Sequence, residues 1–204
     1  MRMPAVSIML LLLASANANA KMPDAGAPAD SAVPNGCPEG SYSVVNAPDG
    51  SALSILFDGF SIAAGPRADG VVLRKVCNIQ VPLQLPDGYS LGVYRVDYRG
   101  FAHLDPTQTA ELNVAYALGL QSNGRRFQRG IRGAHDGDFA FTENIGAGLM
   151  RRVGCGDAAV LNVAATLELQ AGRQPSGALV ALDSVDGAPK GGLVYRFNLK
   201  KCGP

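Results

Sequence analysis

From residue 41 onward apolar side chains recur at every second position, the mark of strands with one buried face. Ser41-Tyr42-Ser43-Val44-Val45 runs into Pro48-Asp49-Gly50-Ser51, after which Leu53, Ile55 and Phe57 alternate with Ser54, Leu56 and Asp58. This predicts strand, turn, strand. Asp49-Gly50 suits the turn because glycine reaches positive φ without a Cβ clash. A third strand is expected within Val71 to Val81. A fourth spans Tyr89 to Tyr98 after the turn Pro86-Asp87-Gly88. Strict alternation there puts Leu91, Val93 and Asp97 on one face and Tyr94, Val96 and Tyr98 on the other. Leu112 to Leu120 alternates through Val114, Tyr116 and Leu118 and reads as a strand, although Ala110, Ala115 and Ala117 would also suit a helix. Phe139 and Phe141 bracket Ala140 after Asp136-Gly137, and Leu161 to Leu169 is a further strand. Ala178 to Leu182 and Leu193 to Leu199 predict a closing hairpin around Asp186-Gly187, with Leu193, Tyr195, Phe197 and Leu199 on one face.

Asp-Gly steps begin at 49, 58, 69, 87, 136 and 186. Short strands punctuated in this way predict an all-β chain, an antiparallel β-sandwich or barrel-like domain with disulfides. Strand order does not follow from the pattern.

The N-terminus departs from it. Arg2 precedes an apolar run from Ala5 to Ala14, and Ala18-Asn19-Ala20 fits a small-x-small cleavage site. Residues 1–20 therefore read as a signal peptide cut after Ala20. The run is about half of the ~20 residues a spanning helix needs. Residues 21–36, rich in Ala, Pro, Asp and Gly, read as a flexible lead-in. Residues 37–204 read as a single β domain. No later stretch is apolar enough to predict a transmembrane segment, so the expected location is secreted, periplasmic or extracellular.

Composition narrows the class. The chain has 204 residues, 47% of them hydrophobic and 17% charged, which disfavours disorder. Lys plus Arg is 18 against 17 Asp plus Glu, and export would remove Arg2. Without a basic excess, no nucleic-acid partner is expected. Cys37, Cys77, Cys155 and Cys202 form no CxxC pair, which disfavours a four-cysteine zinc site. Four cysteines in an exported chain favour disulfides. Three pairings exist, and Cys37–Cys77 with Cys155–Cys202, which joins segments near in sequence, is preferred.

Candidate chemistry is sparse. His103 and His135 could join Asp105 or Asp136 around zinc, but no HxH or HExxH occurs, and neither metal nor cofactor is assigned. Gly-x-Ser-x-Gly is absent. Asp97, Glu111, Glu143 and Glu168 lie in or near strands, and two of them at about 5 to 9 Å could cleave a glycoside. Asp97 and Arg99, two apart, share a strand face beside Gly100. They could bind a polar ligand or, the preferred reading, form an ion pair at a sheet end. Arg125, Arg126, Arg129 and Arg132 form a basic stretch around Phe127 and Ile131. Gly124, Gly130 and Gly133 argue against a helix there, and a solvated loop is preferred. With Arg151 and Arg152 the stretch could offer a positive patch to anionic polymers or lipid head groups.

Ordered segments resemble a secreted family grouped as domain of unknown function 4360. They are Cys37-Pro38-Glu39-Gly40-Ser41, Leu56-Phe57-Asp58-Gly59-Phe60, Ala64-Gly65-Pro66, Arg74-Lys75-Val76-Cys77, Val96-Asp97-Tyr98-Arg99-Gly100-Phe101 with Leu104, Cys155-Gly156, Leu161-Asn162, Asp183-Ser184-Val185-Asp186-Gly187 and Lys201-Cys202. The resemblance covers about 37–202 and implies secretion and a compact disulfide-containing β domain. It carries no established activity and no catalytic residue. Members often carry a Trp just before the third Cys, where this chain reads Met150-Arg151-Arg152-Val153-Gly154-Cys155 and has no Trp anywhere. The expected function is a secreted non-catalytic β domain that binds an extracellular polymer, an anionic surface or a protein. The rivals are an extracellular glycan hydrolase using paired carboxylates and a purely structural envelope component.

Overall fold

A computed structural model of the chain describes residues 35–68, 70–120, 124–157, 159–172, 177–182 and 191–203. The expected signal peptide, most of the lead-in and the Asp186-Gly187 turn lie outside these residues. Twelve strands are present: β1 (Tyr42–Asn46), β2 (Ala52–Phe57), β3 (Ser61–Ala64), β4 (Val72–Pro82), β5 (Tyr89–Leu104), β6 (Thr109–Leu118), β7 (Arg125–Arg132), β8 (His135–Asn144), β9 (Arg152–Gly154), β10 (Val160–Gln170), β11 (Ala178–Ala181) and β12 (Gly192–Lys201). The one helical element among the described residues is a 3-10 turn at Ala147–Leu149.

The strands form two antiparallel sheets that do not close into a barrel. Sheet I has the order β1-β2-β12-β5-β11-β3, with β8 and β9 on the other side of β5. Sheet II has the order β4-β10-β6-β7. Alternation supplies the core between them. β6 buries Ala110, Leu112, Val114, Tyr116 and Leu118 and turns Glu111, Asn113, Ala115 and Ala117 outward. β10 buries Leu161, Val163, Leu167 and Leu169 in the same rhythm. The helix alternative for this segment fails because Thr109–Leu118 pairs as a strand with β10 on one side and, as far as Tyr116, with β7 on the other.

β5 is the longest strand and breaks strict alternation once. Opposite β12, Arg95 pairs with Arg196 and Val93 with Phe197, so Tyr94 is an extra residue, a β-bulge. The inward face is carried by Leu91 and Val93 before the bulge and by Val96, Tyr98, Ala102 and Leu104 after it. Asp97 thus stands on the face opposite Leu91 and Val93, which corrects the uninterrupted alternation expected for this strand. Gly100 lies within the strand rather than at a bend. A Cβ there would meet the Ala181 carbonyl oxygen and the Phe139 ring, so glycine lets the two strands and this ring approach.

The predicted closing hairpin is not formed. β11 lies between β3 and β5, and β12 lies between β2 and β5, so both dock on the same side of β5 at successive positions. Local pattern cannot reveal this, because a strand's alternation does not name its neighbour. β3 and β9 are too short, at four and three residues, to show a period in the sequence.

The free edge of β4 is covered from the N-terminal side. The Asn35 side chain donates to the Asn78 carbonyl at 3.3 Å and accepts the Asn78 N–H at 3.0 Å, standing in for a neighbouring peptide. The Cys37–Cys77 disulfide fastens this segment next to it. Cys155–Cys202 ties the turn after β9 to the end of β12, so the preferred pairing is the one observed. Loops of 40 and 47 residues are closed by the two bridges. Chain-entropy arithmetic assigns about 4 kcal/mol to each. A Cys155→Ser/Cys202→Ser variant should therefore unfold at a clearly lower urea midpoint than the oxidised wild type. An unchanged midpoint would show that the native ends are held by strand pairing alone.

Candidate functional site

The polar centre of the sandwich is built by three strands. Phe139, Phe141 and Glu143 alternate along β8, and Glu143 stands opposite Val96 of β5. The acid therefore faces the gap between the sheets. Across the gap, Tyr116 of β6 pairs with Arg125 of β7. Glu143 Oε1 accepts from Arg125 Nε at 2.9 Å and Nη2 at 2.6 Å. Its Oε2 accepts from Tyr98 Oη at 3.0 Å and Tyr116 Oη at 3.1 Å. A carboxylate offers about four lone-pair sites, and here four donors fill them. Glu143 thus pins β8 of sheet I to β6 and β7 of sheet II and has no lone pair left to act as a base.

An aromatic layer surrounds this pin. Tyr98 stacks on Phe127 at 3.9 Å across the sheets, Phe127 meets Phe141 at 6.2 Å, and Tyr195 meets Tyr116 edge-on at 5.3 Å. Burial, together with the nearby Glu143 charge, pushes the phenols of Tyr98 and Tyr116 far above the ordinary tyrosine value. Tyr195 is fully buried, its phenol is pushed up chiefly by burial, and its hydroxyl has no protein partner. Burial alone would lower the Arg125 pKa, but the hydrogen bonds and charge of Glu143 outweigh it and hold the guanidinium charged. Beside the pin, Val93, Leu118, Arg125 and Arg151 help line a cavity of about 20 Å³, room for about one water.

Asp97 faces the other way, on the outer side of sheet I. Arg95 Nε reaches Oδ1 at 2.8 Å, Thr142 Oγ1 donates to Oδ1 at 2.7 Å, and Arg196 Nε reaches Oδ2 at 3.2 Å. Desolvation pushes the Asp97 pKa up, but these donors outweigh it and hold the carboxyl below its ordinary value. Arg99 shares the face, as expected, yet the ion pair expected between them is absent: Asp97 is taken by Arg95 and Arg196. Arg99 remains exposed.

The basic stretch is strand β7, an edge of sheet II, and not a loop. Alternation divides its arginines. Arg125 turns inward to Glu143, and Arg129 lies on the same side, its guanidinium 4.6 Å from the Phe127 ring centre. Arg126 and Arg132 point outward and are exposed. Arg151 is exposed, whereas Arg152 is spent on Ser90 and Asn198 and joins β9, β5 and β12. The single patch expected from the sequence is therefore split, and two of its members are structural.

The other candidates also separate. His103 bonds Asp136 at 3.0 Å, while the His135 ring meets the Gly137 carbonyl oxygen of its own strand at 3.1 Å. Among the described residues no three His, Cys, Asp or Glu side chains converge as a metal site. Asp97 and Glu143 lie on opposite faces of sheet I. Glu111 and Glu168 are direct cross-strand neighbours on the outer face of sheet II. Glu111 is held below its ordinary pKa by Gln128 and Asn113, the direction opposite to that needed by a general acid.

Two pH effects follow. A phenol whose folded pKa is raised stabilises the fold fully below its unfolded value near 10, and that contribution drains away as pH rises above it. Tyr98, Tyr116 and Tyr195 should therefore ionise together with unfolding, so that part of the tyrosinate absorbance rises in step with loss of near-ultraviolet dichroism. Ionisation of all six tyrosines before the dichroism changes would contradict the buried arrangement. Asp97 has the opposite sign. Its lowered folded pKa stabilises above the unfolded value of 3.8, and the contribution is lost as pH falls below that value. The urea midpoint of wild type should exceed that of Asp97→Asn at neutral pH, and the gap should narrow as pH falls below 3.8.

Residues 31–202 match a family model described as "Domain of unknown function (DUF4360)". A relative from Arthroderma benhamiae, named "Uncharacterized secreted protein", is 26% identical over 151 residues. The match covers 74% of this chain, and the chain spans 62% of the relative's length. With the family model matched across the whole described sandwich and both of its disulfides, the chain belongs to the DUF4360 family.

Proposed function

We propose that this chain is an exported, non-catalytic β domain that binds an anionic extracellular polymer or surface through strand β7. The observation that carries the reading is the state of Arg126, Arg129 and Arg132. All three are exposed on one edge strand, and among the described residues none has a carboxylate within ion-pair distance. Paired strand backbone holds their Cα positions fixed, so binding would order side chains only and lose less entropy than it would with a loop. Export is supported by the Arg2 and Ala5–Ala14 pattern, by the two disulfides and by the name of the secreted relative. The saturated carboxylates Glu143 and Asp97 support binding rather than hydrolysis.

The test is binding of the mature, oxidised domain to polygalacturonate, polyphosphate and phosphatidylglycerol vesicles at low and high salt. Exposed charges should give binding that weakens with salt. Arg126→Ala/Arg129→Ala/Arg132→Ala should lose at least about tenfold in affinity while keeping its melting temperature. Arg125 is left intact because its loss would disturb the Glu143 pin. Absence of binding to all three polyanions would remove this reading and favour a structural envelope role.

A further inference from the structure

The outer face of sheet II has a relief that the charges alone do not explain. Its strand register sets side chains in rows that cross all four strands. One row is Val76, Thr166, Asn113 and Gln128. The next is Asn78, Ala164, Ala115 and Arg126. The row after it is Gln80, Asn162 and Ala117. Small side chains therefore occupy the two central strands of the middle row, with the amides of Asn113 and Gln128 in the row on one side and those of Asn162 and Gln80 in the row on the other. With strands about 4.8 Å apart, four strands give a trough about 14 Å long, and adjacent rows stand about 6.8 Å apart.

The polar walls are fixed in advance. Asn162 donates to the Gly119 carbonyl at 2.9 Å, and Asn113 donates to Glu111. The backbone of Asn78 is clamped by Asn35 on the covered edge of the sheet. Each fixed amide keeps unused hydrogen-bonding capacity for an incoming group. No aromatic side chain stands in these rows, so the walls suit hydroxyls rather than an apolar ring. Arg126 closes one end of the trough with an exposed positive charge.

We propose that this trough binds an extended acidic polysaccharide, with its amides taking sugar hydroxyls and Arg126 taking a carboxylate. A chain lying across the strands would meet a new strand about every 4.8 Å, a step comparable to one pyranose unit. The floor of Ala115 and Ala164 admits the ring edges. This proposal rests on the polyanion-binding reading above and names the ligand class and the face used.

Oligogalacturonate and polyphosphate are the two probes, since both are polyanions but the second has no sugar hydroxyls. Ala115→Tyr fills the floor without changing charge, and tyrosine suits a strand. Ala140→Tyr, at an exposed position of β8 on the outer face of sheet I, is the control. The expected result is that Ala115→Tyr weakens oligogalacturonate at least about tenfold, leaves polyphosphate unchanged, and Ala140→Tyr affects neither. Amide shifts of the wild type on adding oligogalacturonate should centre on Asn113, Ala115, Asn162 and Ala164, a readout independent of how any variant folds. Oligogalacturonate binding that survives Ala115→Tyr but is lost in the triple arginine variant, or shifts confined to β7, would overturn the trough and leave the β7 reading standing. Failure of wild type to bind either probe would remove both.

Discussion

One extra residue in β5 decides which side chains this sandwich buries. The strand has neighbours on both sides along most of its length, β12 and β11 on one and β8 and β9 on the other. Its residues from Leu91 to Leu104 cannot all follow one alternation. Without the bulge at Tyr94, the face that buries Leu91 and Val93 would next bury Arg95, Asp97 and Arg99. Three charges in the core, with no room for water, would cost several kcal/mol each. The bulge turns the strand over once, so that Val96 and Tyr98 continue the core and the three charged residues go outward. The Asp97 cluster and the Tyr98 hydroxyl bond are both consequences of that step.

The same constraint reaches the gap between the sheets. Once Tyr98 faces inward its hydroxyl needs a partner, since an unpaired buried polar group costs about 1–3 kcal/mol. Glu143 supplies it, and Glu143 in turn needs countercharge, which Arg125 gives from the opposite sheet. The arrangement is stable as a set and fragile in parts, because removing one member strands the others. It also fixes the fate of the basic stretch. Arg125 is taken up by the pin, so of the four arginines of β7 only Arg126, Arg129 and Arg132 remain free of an ion pair among the described residues.

Much of this was legible in the chain and some was not. Period two gave β2, β6 and β10 with the right faces, and β12 as far as Phe197, beyond which its residues, Leu199 among them, are exposed. The cysteine pairing followed from proximity along the chain. The bulge was invisible, since Tyr94 and Arg95 are ordinary strand residues and only pairing with β12 shows the extra position. The β11–β12 hairpin was expected because the two segments are sequential, but long-range pairing with β5 prevailed over nearness. The pin could have been found. Phe139, Phe141 and Glu143 share one parity, and an acid at the end of an inward aromatic series signals a buried carboxylate awaiting donors. The outward rows of sheet II could not be read at all, because a row exists only once four strands have a common register.

The placement of the carboxylates bears on what such a fold can do. Hydrolysis by paired acids needs one carboxyl kept protonated by an enclosing site that still admits the substrate and the attacking water. Here the enclosed acid, Glu143, is held by four donors, and the adjacent acids, Glu111 and Glu168, lie on an open sheet face. The fold therefore separates enclosure from free carboxyl chemistry. A broad, rigid, polar face has a different strength. Each hydrogen bond to a flexible chain is worth only about 0.5–1.5 kcal/mol, so a single sugar would scarcely bind. A polymer repeats its groups, and neighbouring units on the same chain meet the next row at high effective concentration. Two pinned sheets with edges held by a disulfide and an asparagine keep those rows in register, and fixed register is what repetition of weak contacts requires.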